Sequence, residues 1–189
     1  FKLEMTPFRP DIPIYIASLQ EKAVKDVGRV ADGWIPTFWP YEHFKDGSAW
    51  LQEGARDAGR GEVAINVAPF MAVIPFDDVA MARGLIKPLV AFYIGGMGVY
   101  YHALFCRYGF QENADLVREL YNNGQRQEAS AAVSDELIDA IAICGPADHC
   151  REKLAEWRSF GVDSALLNLP TNVPPELTEG FLKQMAPGR

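Results

Sequence analysis

Short apolar runs alternate with amphipathic segments along most of the chain. Four of these runs predict β-strands, at residues 12–18, 32–37, 62–74 and 162–169. The first run is apolar on both faces, which is typical of parallel strands that helices cover on both sides. The third run contains Pro69, which predicts an edge, a bulge or a break, because proline donates no hydrogen bond to a neighbouring strand.

Helical periodicity fills the segments between the predicted strands. Residues 20–30 and 41–58 place apolar side chains on one face, and Ser134 and Pro146 lie at positions typical of helix starts. Residues 76–144 are too long for one crossover helix and predict several helices. Strands that alternate with helices predict an α/β fold with a parallel sheet and right-handed crossovers.

Four strand–helix units amount to half of a (β/α)8 TIM barrel, because a whole barrel has eight units in ~250 residues. The 189 residues therefore predict a single domain over residues 1–189, a partial TIM barrel. A small open four-stranded sheet is the alternative fold.

Composition narrows the class of protein. Hydrophobic residues make up 49% of the chain, which indicates a globular protein, and the net charge of -7 argues against a nucleic-acid partner. Three cysteines, an odd number, argue against a disulfide framework. No apolar run reaches the ~18–20 residues that cross a bilayer. We therefore expect a cytoplasmic protein with no membrane partner.

The loop after the first predicted strand is the best candidate for binding chemistry. Residues 18–20 connect that strand to a helix, and such loops hold anionic ligands in α/β proteins because the helix N-terminus presents N–H groups. Phe38 and Trp39 follow the second strand and are candidates for a pocket wall, whereas Trp34 fits a core position.

Metal binding receives little support from the sequence. His102 and Cys106 are four residues apart on a predicted helix, so both could face one ion. No second pair lies at metal-ligand spacing nearby. We predict no metal site.

Four passages together resemble a known family, the bacterial luciferase-like monooxygenase superfamily, and within it the oxidoreductases that use the deazaflavin coenzyme F-420. The passages are IPIYIAS, VADGWIPTFW, FYIGGMGVYYHALFCRYGF and CGPADHCREKLAEWRSFGVDSALL. They cover nearly the whole chain. The resemblance implies that the chain is the C-terminal half of a TIM barrel, with strands five to eight. Residues 76–144 would then form a helical insertion before the last strand.

The resemblance also implies a cofactor site at the carboxyl-terminal mouth of the barrel. The loop after the fifth strand would bind the cofactor phosphate, with help from a residue after the sixth strand. By position, these cofactor-binding residues are Ala17, Ser18, Leu19, Gln20 and Thr37. The Tyr100–Tyr101 pair near the GGMG turn is a weaker substrate-side candidate.

Two departures from the family pattern affect this expectation. Family members often have Gly-Pro where this chain has Gln20-Glu21, and glycine lets backbone N–H groups approach a phosphate closely. Ser18 and Lys22 are candidates to compensate. The usual flavin-ring contacts and proton donor lie in the first half of such barrels. Because Phe1 is not methionine, we expect the chain to be a fragment that lacks this half, and its catalytic residues stay unknown.

Three functions agree with these patterns. The first is an oxidoreductase that transfers a hydride between coenzyme F-420 and a small organic substrate, inactive as this chain alone. The second is an FMN-dependent luciferase-like monooxygenase. The third is a non-catalytic half-barrel that serves in binding or assembly, since two open sheet edges favour pairing with a second copy or with the missing N-terminal half.

Overall fold

All strands of the described chain pair in parallel, which confirms the predicted α/β class. The computed structural model describes residues 6, 8–9, 11–168 and 173–186. One sheet contains β1 (Tyr15–Ile16), β2 (Gly33–Trp34) and β3 (Asn66–Val67), in that order. The observed strands are shorter than the predicted runs, because only a few residues of each run form regular ladder pairs.

The third predicted run forms two strands that are separated at Pro69. After β3 the chain resumes as β4 (Phe70–Pro75), and an isolated bridge between Thr37 and Phe70 links β4 to the segment after β2. Of the edge, bulge or break predicted at Pro69, the structure shows a break. β6 (Leu166–Asn168) pairs with the beginning of β4, and the last residue of that predicted strand, Leu169, lies outside the described residues.

One strand was not predicted from the sequence. β5 (Ala142–Gly145) pairs with the second half of β4, on the side opposite β6. Its four residues directly follow the apolar helical pattern that ends at Ile141. A short apolar run after a helix cannot be distinguished from more helix by periodicity alone. The helical part of residues 76–144 consequently ends three residues earlier than expected.

Helices cover the sheet and fill the long connection between β4 and β5. A short 3-10 helix at Tyr41–His43 precedes the second α-helix. The α-helices are α1 (Glu21–Val30), α2 (Phe44–Asp57), α3 (Val79–Gly96), α4 (Tyr100–Arg107), α5 (Gln111–Asn122), α6 (Arg126–Ala132), α7 (Asp135–Ile141), α8 (Ala147–Ser159) and α9 (Pro175–Met185).

The helix α3 corrects the sequence-based statement that no apolar run is long enough to cross a bilayer. It is long and apolar enough to cross a membrane by length and composition, a test that core helices of soluble proteins also pass. One face packs into the structure through Ile86, Val90 and Ile94. Another face exposes Met81, Leu85 and Phe92. This single candidate is weak evidence for a membrane span.

The strand β1 lies at a sheet edge, and its flanking side chains are more exposed than expected. Ile12 and Ile14 retain 67% and 58% of their accessible surface, although their pattern predicted burial on both faces. The reason is topological, because β1 pairs only with β2 within the described chain. At the other edge, Leu166 of β6 retains 40%.

The helices α1 and α2 pack with direct backbone contact, which two glycines permit. A Cβ atom at Gly28 would lie 2.1 Å from the carbonyl oxygen of Leu51, and one at Gly54 would lie 1.9 Å from that of Lys25. The guanidinium of Arg60 closes the end of α1 by donating to the carbonyls of Gly28 and Ala31, at 2.7 and 2.9 Å. This packing fixes α1, and with it the loop that enters α1.

We predict that Gly54→Ala lowers the free energy of unfolding by about 1–3 kcal/mol, because the added methyl group forces the two helices apart. Gly84→Ala is the matched control, since Gly84 lies in α3 with open space around its Cβ position. This control should leave stability unchanged or raise it by up to ~1 kcal/mol. Urea unfolding of both variants measures the difference, and equal stabilities would contradict the close-packing argument.

Candidate functional site

The five residues predicted from the cofactor loop meet at one cavity. The loop after β1 supplies Ala17, Ser18, Leu19 and Gln20, and the segment after β2 supplies Thr37. Carboxyl ends of neighbouring parallel strands lie at the same edge of a sheet, which explains why residues so distant in sequence converge. The cavity has a volume of about 440 Å³, and its remaining lining residues are Ala23, Ile35, Tyr100 and Tyr101.

Two long-range hydrogen bonds hold the loop in place. The indole Nε1 of Trp34 donates to the carbonyl oxygen of Ser18 at 2.9 Å. A guanidinium nitrogen of Arg107, at the end of α4, donates to the carbonyl oxygen of Leu19 at 3.2 Å. Both bonds occupy carbonyl oxygens, which are the loop groups that would repel an anion.

The side chains of Ser18 and Gln20 leave hydrogen-bonding capacity unused at the cavity loop. The hydroxyl oxygen of Ser18 is buried and has no hydrogen-bond partner among the described residues. Gln20 occupies the N-cap position of α1, and its side chain makes no capping bond. The first-turn N–H groups of a helix have no intrahelical acceptor, so this helix start offers donors to an anion.

A lysine side chain partly balances the carboxylates near the loop. Glu21, at the first position of α1, forms an ion pair with Lys25 at 2.7 Å. Lys25 also pairs with Glu53, and hydrogen bonds from these two carboxylates raise the pKa of Lys25. Lys22, the proposed compensating cation, is exposed and does not line the cavity.

The opposite wall comes from the first turn of α4. Tyr101 lies edge-to-face with Tyr93 at a centroid distance of 4.6 Å. Burial raises the pKa of Tyr101, a nearby Tyr93 hydroxyl acts in the same direction, and the Thr37 hydroxyl acts against the rise. The phenol therefore stays neutral at physiological pH and can donate a hydrogen bond. Tyr100 and Tyr101 both line the cavity, and their substrate-side role stays a prediction.

The aromatic residues after β2 pack in the core instead of lining the cavity. Phe38 and Trp39 are 3% and 2% exposed, which contradicts the expected pocket role. Phe38 has a φ angle of 53°, an uncommon conformation for an aromatic residue. The chain turns there, and the ring packs against Tyr93 at 5.0 Å. Trp34 is fully buried, as predicted.

Two other features were candidates for anion binding or nucleophilic chemistry. A cavity of about 600 Å³ includes Arg83, but this guanidinium makes two hydrogen bonds to Asp139, at 2.9 and 2.7 Å. Its charge is therefore already neutralised, and the smaller cavity at the loop suits an anion better.

Burial raises the pKa of Cys144 to about 12 and that of Cys150 to about 11, so both thiols are poor nucleophiles.

The sequence did not indicate that Arg107 and the indole N–H of Trp34 hold the cavity loop by hydrogen bonds. Arg107 lies 88 residues from Leu19 in the chain, and no local pattern relates the two. Its guanidinium also lies over the rings of Trp50 and Tyr108, at 5.8 and 5.9 Å, which restricts its orientation. Only the packing of α4 against the loop reveals this contact.

Comparisons with known proteins identify the family. The sequence pattern of the luciferase-like monooxygenase family matches residues 2–164, so the chain belongs to this family. It is 35% identical over 162 residues to a Mycobacterium tuberculosis protein. The provisional name of that protein is coenzyme F-420-dependent oxidoreductase. That match covers 82% of this chain and 47% of the relative. A 5,10-methylenetetrahydromethanopterin reductase of Methanopyrus kandleri is 27% identical and is covered over 45% of its length.

Solved structures show the same fold. The coenzyme F-420-dependent tetrahydromethanopterin reductase of Methanopyrus kandleri superposes with a TM-score of 0.71 at 24% identity, over 92% of this chain and 49% of that one. An F-420-dependent secondary alcohol dehydrogenase gives a TM-score of 0.69 at 17% identity, over 97% and 50%. The chain therefore has the α/β fold of TIM-barrel enzymes and spans about half the length of these relatives.

We predict that Arg107→Ala loosens the cavity loop. The order parameters of the Leu19 and Gln20 N–H groups, measured by NMR relaxation, should fall from the rigid value of ~0.85 towards the flexible range below ~0.6. Loss of the hydrogen bond to the Leu19 carbonyl is the cause. Arg56→Ala, which removes an exposed arginine from α2, should leave both values unchanged. Unchanged loop order in Arg107→Ala would refute the positioning role.

Proposed function

We propose that the natural full-length protein is an oxidoreductase that uses coenzyme F-420, and that this chain holds the phosphate of the cofactor. The observation that carries the proposal is the convergence at one cavity of the five loop and strand-end residues, with the unpaired Ser18 hydroxyl and the uncapped start of α1. Names of the sequence relatives and of the similar structures support this choice of cofactor.

The residues present fit a phosphate group. The Ser18 hydroxyl is a buried donor that lacks a partner within the described part of the chain, and donors without partners are costly unless a ligand satisfies them. Thr37 lines the same cavity and offers a second hydroxyl. The N-terminus of α1 adds N–H groups and the positive end of a helix dipole. When bound, the deazaflavin supplies the hydride-transfer chemistry itself.

The chain's own residues would contribute binding, orientation and shielding. Trp34 and Arg107 hold the loop so that its hydroxyl and amide donors keep one geometry. Tyr101, neutral and half-buried, offers a hydrogen-bond donor from the opposite wall. The described residues that line the cavity supply binding groups, and we assign no catalytic proton donor among them.

We further propose that the strands correspond to strands five to eight of a barrel, that residues 1–189 form one domain, and that the helices between β4 and β5 are its insertion. The exposed Ile12 and Ile14 at the β1 edge and Leu166 at the β6 edge support pairing with an N-terminal half. This chain alone would then be inactive. Pairing between two copies through the same edges is the competing assembly.

The substrate would be a small organic molecule, and the protein would act in the cytoplasm.

An FMN-dependent monooxygenase is the second candidate. The description of the matched family as luciferase-like monooxygenases favours it, and FMN also carries a phosphate that fits the same loop. The cofactor that co-purifies with the natural full-length protein distinguishes the two enzymes by its absorbance spectrum. If neither cofactor binds, the third function, a non-catalytic half-barrel, gains support.

We predict that Ser18→Ala and Thr37→Val each weaken coenzyme F-420 binding about five- to tenfold, the equivalent of a lost hydrogen bond of ~1–1.5 kcal/mol. Binding of the deazaflavin nucleoside that lacks the phosphate should change little in either variant. Fluorescence titration of the natural full-length protein measures both affinities. Ser130→Ala, in the distant helix α6, is the matched control. Equal loss for both ligands would contradict a phosphate role for these hydroxyls.

A further inference from the structure

Three side chains that commonly bind metals meet between α4 and α5, away from the loop. His102 and Cys106 lie one turn apart on α4, and Asp115 faces them from α5. The Nε2 atom of His102 lies 2.7 Å from a carboxylate oxygen of Asp115 and 3.7 Å from the sulfur of Cys106. All three potential ligand atoms lie within 4.8 Å of one another.

We propose that His102, Cys106 and Asp115 bind a divalent transition metal of the zinc class, and that this metal ties α4 to α5. The site goes beyond the proposed cofactor binding and does not depend on it. The sequence supplied the His–Cys pair but gave no reason to add Asp115, which lies nine residues after Cys106, across the turn between the helices.

The observed separations are close to those of a tetrahedral zinc site. Zinc–nitrogen bonds of about 2.0 Å and zinc–sulfur bonds of about 2.3 Å place nitrogen and sulfur roughly 3.5 Å apart, and nitrogen and oxygen roughly 3.3 Å apart. The sulfur is therefore already near its required position. The carboxylate must withdraw from the imidazole by about half an ångström. The Asp115 side chain is 55% exposed and has room to do so.

The donor set and its surroundings suit zinc. Imidazole, thiolate and carboxylate are its usual ligands, and a site with three protein ligands leaves a fourth position for water. Cys106 and Asp115 line a wide cavity of about 900 Å³, which gives an ion and a water molecule access. The His102 side chain, at 16% exposed, supplies the shielded side.

Metal binding would replace an existing hydrogen bond and release the thiol proton. Without the metal, His102 and Asp115 hydrogen-bond to each other, and the Cys106 sulfur lies against the imidazole ring. On binding, the Cys106 S–H bond breaks, the proton passes to solvent and a sulfur–metal bond forms. Neutral imidazole and the carboxylate complete the set, and no atom changes oxidation state. About one proton leaves the thiol for each metal bound.

The position of the site on α4 gives the metal a structural consequence. Tyr101 at the start of this helix lines the loop cavity, and Arg107 at its end binds the Leu19 carbonyl. His102 and Cys106 lie between these two contacts. A metal that fixes α4 against α5 would thus also fix the wall that faces the loop.

Cobalt(II) titration of the chelator-treated, metal-free chain tests the proposal. We expect saturation at one ion per chain, a sulfur-to-cobalt charge-transfer absorption, displacement of the cobalt by zinc, and a higher midpoint of thermal unfolding. Cys106→Ser should abolish the charge-transfer absorption and the proton release. His102→Ala and Asp115→Asn should each weaken binding at least about tenfold.

His149→Ala is the control, because it removes an exposed histidine outside the cluster. It should bind cobalt like the parent chain. Far-UV circular dichroism of every metal-free variant checks folding, and the conservative Asp115→Asn variant keeps the test valid if His102→Ala fails to fold. Absence of the charge-transfer absorption in the parent chain, or equal affinity in parent and Asp115→Asn, would overturn the proposal.

Discussion

The hydrogen bond from the Trp34 indole to the Ser18 carbonyl is the contact on which the arrangement of the site depends. Trp34 belongs to β2 and is fully buried, whereas Ser18 belongs to the loop after β1. The indole has space because Gly47 of α2 carries no side chain, and a Cβ there would lie 2.3 Å from the ring. One bond therefore couples the core, the second helix and the loop, so that core packing sets the geometry of the cavity.

The helix α4 is the second element that joins distant parts of the site. Its first turn carries the tyrosines of the cavity wall, its last residue holds the Leu19 carbonyl, and its middle turn carries two of the proposed metal ligands. A movement of α4 would change both walls of the cavity together. This coupling makes the long connection between β4 and β5 part of the cavity wall, although it contributes no strand to the first sheet.

Apolar side chains are exposed at the sheet edges of the described chain. The isoleucines beside β1 and the leucine of β6 expose apolar surface that a parallel strand would normally bury. Relatives of about twice the length show that chains with this fold extend further. The described chain provides a loop, a cavity and a helical wall.

Local periodicity, backbone chemistry and family motifs were enough to predict the parallel α/β class, an irregularity at Pro69, the helix that starts after Ser134 and the loop residues that meet at the cavity. The sequence also pointed to Trp34 as a core residue. Only the tertiary structure revealed β5, the burial of Phe38 and Trp39, the Arg107–Leu19 bond and the approach of Asp115 to His102. Each of these depends on how segments pack against one another, and contacts between residues far apart in the chain leave no periodic signal along it.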